Sequence, residues 1–247
     1  FRLEGRRLRR LEASLSGRAA AITLVSRHEA DLYRGFCPAD CVHAIPNGVD
    51  LEYFRPAEPA EEAAPRCVFV GALDYRANID GVRWFCEQVW PEVLRRRPGA
   101  TFAVVGSNPG AAARRLAELP GVELVGEVPD VRPHLAGAAV AVVPLRVARG
   151  IQNKVLEALA MGKAVVATPQ ALEGLSVEAG VHVCRAADSA EWVEVILALF
   201  DDPGLRSRLG RAGRQHVEEH HCWNARLRPF GKLLGMPEHM PARVGQG

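Results

Sequence analysis

Only 3 of the 31 basic residues are lysine, aromatic residues make up 6% of the 247 positions, and 31 basic against 29 acidic side chains leave a formal charge of +2. A balance so close to zero offers no global field for nucleic acid. No apolar run is long: the longest uncharged one, Ala136 to Leu145, reaches about half of the ~20 residues that a membrane-spanning helix needs. The opening FRLEGRRLRRLEASLSG lacks the apolar segment of a secretory signal. Six cysteines are scattered rather than framed, which excludes a disulfide scaffold, and Cys67 and Cys184 sit in apolar runs where a reduced thiol behaves as a small hydrophobe. A reducing compartment is the expectation. The stretch GSNPG, 106–110, departs from the G-x-G-x-x-G pattern and argues against an NAD-binding enzyme. Cys37, Cys41 and His43, with His28 upstream, form one C-x3-C pair without a second, poor grounds for zinc.

What is present is a large apolar fraction, 48%, enough for a substantial core. From Arg66 onward, short β-rich runs alternate with helix-length segments: CVFVG (67–71), TFAVVG (101–106), VELVG (122–126), AVAVVPL (139–145), KAVVAT (163–168) and VHVC (181–184). Runs that are apolar throughout suit strands buried on both faces, as in a parallel sheet covered by helices. The expected fold is α/β, a Rossmann-like doubly wound parallel sheet of six strands over residues 66 to about 220. Upstream, AAAITLV (19–25), a helical stretch and CVHAIP (41–46) read as the tail of another α/β unit, and RPAEPAEEAAPR (55–66) reads as an exposed linker. The organisation read from these segments is 1–46 for the remnant of an amino-terminal domain, 47–65 for the linker, 66–222 for the Rossmann-like domain, and 223–247 for a terminal helix and tail.

The stretch most informative for chemistry is RGIQNKVLEALAMGKAVVATPQALEGL, Arg149 to Leu175. After the strand that ends at Pro144 the chain passes Arg149 and Gly150 and is expected to enter a helix from about Ile151. Free N–H groups at such a helix start, on the carboxyl edge of a sheet, favour an anion. Lys154 and Glu157 share a face of this helix, which fits either a basic group near phosphates with a carboxylate for sugar hydroxyls, or an ordinary i,i+3 surface ion pair. Against 28 arginines, the use of lysine at 154 points to a need for a compact ammonium. Asn78, at the start of the helix after the first strand, is read as a donor contact or as that helix's N-cap.

NGVDLEYFRP (47–56), VGALDYRANIDGVRWF (70–85), VVGSNP (104–109), VELVGEVPDVRPHLAGAAVAVVPL (122–145) and KVLEALAMGKAVVAT, in this order, resemble the carboxyl-terminal half of family 4 glycosyltransferases. Those enzymes have the GT-B fold of two facing Rossmann-like domains, and the resemblance is nearest to bacterial sugar transferases linked to exopolysaccharide and cell-envelope synthesis. It runs from about Thr23 to Trp223. The resemblance implies a half that binds a nucleoside diphosphate sugar, with Glu157 in the place of the second glutamate of an E-x7-E motif, the ribose ligand. Gly150 and Ile151 match the stretch whose amides meet the diphosphate, Gly71 matches the glycine-rich turn near the donor, and contacts near Gly126 to Val128 select the base. The sequence departs from the family at three places. Arg149 stands where the first glutamate would be, and Ala72 and Ala77 stand where many members carry an arginine and a lysine that neutralise the leaving diphosphate. Arg76, Arg149 and Lys154 are the candidates to supply that charge.

The function that follows is retaining transfer of a sugar from a nucleoside diphosphate sugar to a glycan or lipid-linked acceptor, with no metal or other cofactor required and with the isolated chain inactive. A nucleotide-sugar epimerase of GT-B architecture and a silent nucleotide-binding module are the rival readings. The expected place is the cytoplasm. The five arginines between Arg2 and Arg10 either touch anionic lipid at the inner face of the membrane or form a solvated helix face.

Overall fold

The apolar runs from Arg66 onward become the strands of one parallel sheet in the computed structural model, which describes residues 2–37, 40–56 and 65–236. The chain divides into two units, one of residues 1–48 with 221–247 and the other of residues 49–220. In the first unit, α1 (Arg2–Ser16) precedes β1 (Ile22–Leu24), α2 (Arg27–Arg34) and β2 (Val42–Ala44), and β1 pairs with β2 in parallel register, Ile22 opposite Val42. Ser26 starts α2 because its hydroxyl accepts from the Glu29 N–H at 3.1 Å, the task of an N-cap. Strands β1 and β2 with α2 form a β-α-β unit at the two apolar runs read upstream. The last helix, α10 (Trp223–Leu233), belongs to the same unit.

The second unit carries β3 (Arg66–Val70), α3 (Arg76–Gln88), α4 (Trp90–Arg96), β4 (Thr101–Val105), α5 (Ala111–Leu116), β5 (Val122–Gly126), α6 (Arg132–Ala136), β6 (Val140–Val143), α7 (Asn153–Ala160), β7 (Ala164–Ala167), β8 (Cys184–Arg185), α8 (Ser189–Asp201) and α9 (Pro203–His220). Among the described residues its sheet has six strands in the order β5-β4-β3-β6-β7-β8, and every pairing is parallel. Counted from β3, that is the 3-2-1-4-5-6 order of a doubly wound nucleotide-binding sheet. Strands β6 and β7 are buried at all four positions, as runs without alternation require. Phe85, Trp90, Phe102 and Trp192 form an aromatic cluster, Phe85 meeting Phe102 at 4.8 Å and the edge of Trp192 at 5.5 Å between ring centroids.

Three expectations need correction. The run 181–184 contributes only Cys184 to β8, because residues 178–183 close on themselves: Gly180 has φ +83°, its N–H donates to Val183 O at 2.7 Å, and the His182 N–H donates to Glu178 O at 2.9 Å. Helix α7 begins at Asn153 rather than Ile151, because Gly150 takes φ +67° and Gln152 stays extended. Residues 49–56, which composition assigns to the linker, pack within the second unit: Val49 is buried, Leu51 and Phe54 lie against the core, and one Arg214 guanidinium donates to the carbonyls of Phe54 and Ala160 at 2.7 Å and of Leu51 at 3.3 Å. A planar fork with five donors reaches three carbonyls at once, so these residues are held by hydrogen bonds that Pro/Glu content does not reveal. Residues 57–64 of the expected linker lie outside the described residues.

Helix α9 lies close against the turn after α7. A Cβ placed on Gly210 would come 2.0 Å from the Gly162 carbonyl oxygen. Gly210→Ala is therefore expected to lower stability by about 1–3 kcal/mol, read from urea denaturation. Beside this contact, Lys163 donates to the Ala136 carbonyl at 3.0 Å, and burial, then Arg206, brings its ammonium down from 10.5 to about 8. The folded protein thus loses this proton before the unfolded chain does, so Lys163 adds stability as pH rises from about 8 to about 10.5. Wild type should gain on Lys163→Met across that window in paired urea melts. A pH-independent difference would contradict the assignment.

Candidate functional site

Strand β3 runs into a turn at Gly71, and the backbone there is pressed from two sides. The Gly71 N–H donates to Val105 O at 3.0 Å and the Leu73 N–H to Ser107 O at 2.8 Å, so the exits of β3 and β4 are tied together. A Cβ on Gly106 would stand 1.9 Å from the Gly71 carbonyl oxygen, and one on Gly81 would stand 2.6 Å from the Pro144 carbonyl oxygen. Glycine at 106 lets the two exits touch, and glycine at 81 lets α3 rest on the chain leaving β6. Between β3 and β6 the order of strands reverses direction, and in open α/β sheets the crevice at that point receives the ligand.

Helix α7 starts at this crevice with Gln152 as its N-cap, and the Val155 N–H donates to Gln152 O at 3.0 Å. Lys154 reaches from it to Asn78, Nζ to Oδ1 at 3.1 Å, and Asn78 Nδ2 donates to the Ala72 carbonyl at 2.8 Å. Asn78 is 3% exposed. It sits inside α3, where the N-cap is Tyr75, so the N-cap reading of Asn78 is corrected: its amide ties the Gly71 turn to α7. A Cβ on Gly71 would come 3.0 Å from both the Asn78 amide and Lys154 Cε, which brings Gly71, Asn78 and Lys154 into one cluster. The Lys154 ammonium also lies 5.7 Å from the centre of the Phe69 ring.

Glu157 follows one turn later, half-buried. Desolvation raises its pKa and lowers that of Lys154, and each group's charge opposes the other's shift. The ammonium hydrogen-bonds Asn78, so the arrangement is no simple surface ion pair. A half-buried base and acid on one helix face, beside a tight backbone turn and a helix start, form a place where phosphate charge and sugar hydroxyls both find partners. Gly150 and Ile151 lead into this helix, Ile151 buried and Gly150 at positive φ, with the Gln152 side-chain amide donating to the carbonyls of Arg149 at 3.2 Å and Gly150 at 3.3 Å.

The other sequence candidates stand apart. Arg76 is 93% exposed and pairs with Asp80, Nε to Oδ2 3.5 Å, on the outside of α3. Arg149 is exposed. Val128, after β5, is half-buried against the core. Two features were not read from the sequence. Thr168, at the end of β7, is buried and its hydroxyl donates to Leu145 O at 2.5 Å while accepting from the Ala171 N–H, which pins the chain leaving β6. A threonine at a strand end before proline was the available signal. The second is a cleft of about 860 Å³ between α3, the ends of β6 and β7, and the start of α8. Among the described residues no group of three or more His, Cys, Asp or Glu could hold a metal ion. None of their helices is long and apolar enough to cross a membrane.

Removing the Asn78 amide leaves the Ala72 carbonyl and the half-buried Lys154 ammonium without this partner. Asn78→Ala is therefore expected to cost about 1–3 kcal/mol in chemical denaturation. Asn78→Ala combined with Lys154→Met should cost less than the sum of the two single changes, the sign of direct coupling in a double-mutant cycle.

The chain matches the model of the family described as glycosyl transferases group 1 over residues 64–202. It is 31% identical over 199 residues to a GDP-mannose-dependent monoacylated α-(1-6)-phosphatidylinositol monomannoside mannosyltransferase of Corynebacterium glutamicum, covering 72% of this chain and 52% of that protein. Among solved structures it resembles TarM of S. aureus in complex with fondaparinux, α-GlcNAc-glycerol and UDP (TM-score 0.76, 15% identity, 88% of this chain and 44% of that one). It also resembles a sucrose-phosphate synthase of Thermosynechococcus elongatus (TM-score 0.74, 23% identity, 92% and 60%). The chain spans about half the length of the curated relatives it matches. With the family model covering more than half of its residues and the Rossmann-like sheet of GT-B glycosyltransferases in place, the chain belongs to the group 1 glycosyltransferases.

Proposed function

We propose that the chain is the donor-binding part of a retaining glycosyltransferase that moves a sugar from a nucleoside diphosphate sugar to a glycan or lipid-linked acceptor in polysaccharide or cell-envelope synthesis. The observation that carries this reading is the meeting of the Gly71 turn, Asn78 and Lys154 at the strand-order reversal, with Glu157 one turn along the same helix. The relatives support it by their names: one uses GDP-mannose, and one structural neighbour is held with UDP. Since those donors carry different bases, the shared chemistry is the ribose and diphosphate. Contacts near Val128 are then left to choose the base.

In this reading the Glu157 carboxylate accepts from the ribose hydroxyls. The amides from Gly150 and Ile151 into α7, with Lys154, face the diphosphate. The bond from the sugar C1 to the diphosphate oxygen breaks, and the bond from C1 to the acceptor oxygen forms on the same face. The acceptor proton leaves with the diphosphate. Charge on the departing oxygens grows in this step, so preorganised N–H groups and an ammonium act where they lower the barrier most. Burial lowers the Lys154 pKa and the Glu157 charge opposes that shift; a bound diphosphate adds to the side that favours the ammonium. Arg149, exposed before the helix, is assigned the phosphate side, and Arg76 is the other candidate for the charge missing at Ala72 and Ala77. No metal ion is needed in this scheme. The rest of the acceptor site is assigned to parts of the whole enzyme beyond this chain, and peripheral contact of the arginine-rich α1 with anionic lipid belongs to the same proposal.

Calorimetric titration separates the roles. Glu157→Ala should weaken both nucleoside and nucleoside diphosphate binding, by roughly 10-fold to over 100-fold for a lost hydrogen bond to a charged group. Lys154→Met and Arg149→Ala should weaken the diphosphate alone and leave the nucleoside unchanged. Equal affinities in all four proteins would refute the site. In the complete enzyme, incubation with donor with and without acceptor distinguishes transfer from epimerisation and from binding alone by the product formed.

A further inference from the structure

The cleft beside α3 contains none of the residues assigned to the donor; of its lining only Ala77, one of the departures from the family pattern, adjoins that scheme, and the lining has a definite chemistry. Ala77, Asp80, Trp84 and Glu87 recur at helical spacing along α3, on a face distinct from the buried one that carries Asn78, Val82 and Phe85. The opposite wall comes from the chain after β6, the turn after β7 and the first residues of α8. The cleft therefore opens at the carboxyl edge of the sheet, across the first turn of α3 from Lys154.

Charge decides what fits. Three carboxylates, Asp80, Glu87 and Asp188, face two guanidinium groups, Arg83 and Arg146. Asp80 already lies 3.5 Å from Arg76 and 3.9 Å from Arg83. The start of α8 is closed by its own carboxylates: Asp188 accepts from the Glu191 N–H at 3.0 Å and Glu191 accepts from the Ala187 N–H at 2.8 Å. With Arg76, Arg83 and Arg146 the three carboxylates are balanced, so an added phosphate would meet no excess of positive charge and a helix start already capped by anions. A neutral ligand rich in hydroxyls meets what such a ligand needs. Carboxylates and the amides of Gln88 and Gln170 exchange hydrogen bonds with it, and the half-buried Trp84 ring, braced at 6.4 Å by Trp192, gives a flat apolar surface for sugar C–H groups. About 860 Å³ is at the upper end of the volumes of small-molecule sites, room for more than one sugar ring.

We infer that this cleft is a binding site for the neutral part of an oligosaccharide, separate from the nucleotide site; that the saccharide is the acceptor or product glycan rests on the proposed transfer reaction. Protein-detected NMR titrations of the 247-residue chain with maltotriose and with an α-linked mannotriose test it, with glucose 6-phosphate and UDP or GDP titrated in parallel. The expected result is that a neutral trisaccharide shifts the amides of Trp84, Val147 and Gln170. Glu87→Ala and Gln170→Ala, both exposed positions, should weaken that binding about two- to ten-fold each and leave nucleoside diphosphate affinity unchanged. Absence of shifts with both trisaccharides, shifts that survive both substitutions undiminished, or a response to glucose 6-phosphate alone would overturn the proposal. Loss of UDP and GDP binding by the wild type would instead count against the donor site, while the trisaccharide titration still decides the cleft.

Discussion

The carboxyl edge of the larger sheet is organised by one buried amide. Asn78 holds the Ala72 carbonyl with its donor end and the Lys154 ammonium with its acceptor end, and so joins two segments 76 residues apart in sequence. The carbonyl and the half-buried ammonium take the two ends of one carboxamide, which serves both without adding charge. Around it, the glycines at 81 and 106 let backbones close in to distances no Cβ would permit, and a Cβ at Gly71 would press on the Asn78 and Lys154 side chains. The crevice is thus shaped by close packing of main chain and polarised by one lysine, which suits recognition of a group whose charge is spread over several oxygens.

The same economy appears at the opposite side of α7. Arg214 gathers three carbonyls from segments that the chain order separates widely, and the contact of Gly210 with Gly162 sets α9 down on the turn that follows α7. The helix that carries Lys154 and Glu157 is therefore fixed at its far end by the Arg214 guanidinium and at its near end by the Asn78 amide. Its five buried residues, Val155, Leu156, Ala158, Leu159 and Ala160, are small or aliphatic and leave little play between helix and sheet.

Much of this was legible in the residues. Apolar runs without alternation marked buried parallel strands, and five of the six sheet runs match observed strands to within a residue or two. The sixth, 181–184, carried the right composition, but Gly180 and the carbonyl of Glu178 drew its hydrogen bonds into a turn. Lys154 and Glu157 were visible as neighbours on a helix face, whereas the partner of Lys154 was not: no periodicity relates position 154 to position 78. The cap reading of Asn78 fails for a local reason. An asparagine near a helix start is usually a cap, and only the fold shows that this one turns toward another helix. The residues 49–56 were hidden for a similar reason, since their anchors lie on a helix that ends the unit.

The brevity of β8 has a consequence for the molecule in a crowded cell. A sheet edge is a row of unpaired donors and acceptors on which a strand from another chain can grow. At one end of this sheet the edge is only the two residues Cys184–Arg185, one of them charged, with the turn at Gly180 immediately upstream. At the other end β5 is bracketed by Gly121 and Gly126, both at positive φ, and the exposed Glu123 in its middle pairs with Arg66. Neither rim is a long flat template, so a sheet whose inner strands are mostly valine and alanine carries its own protection against self-association.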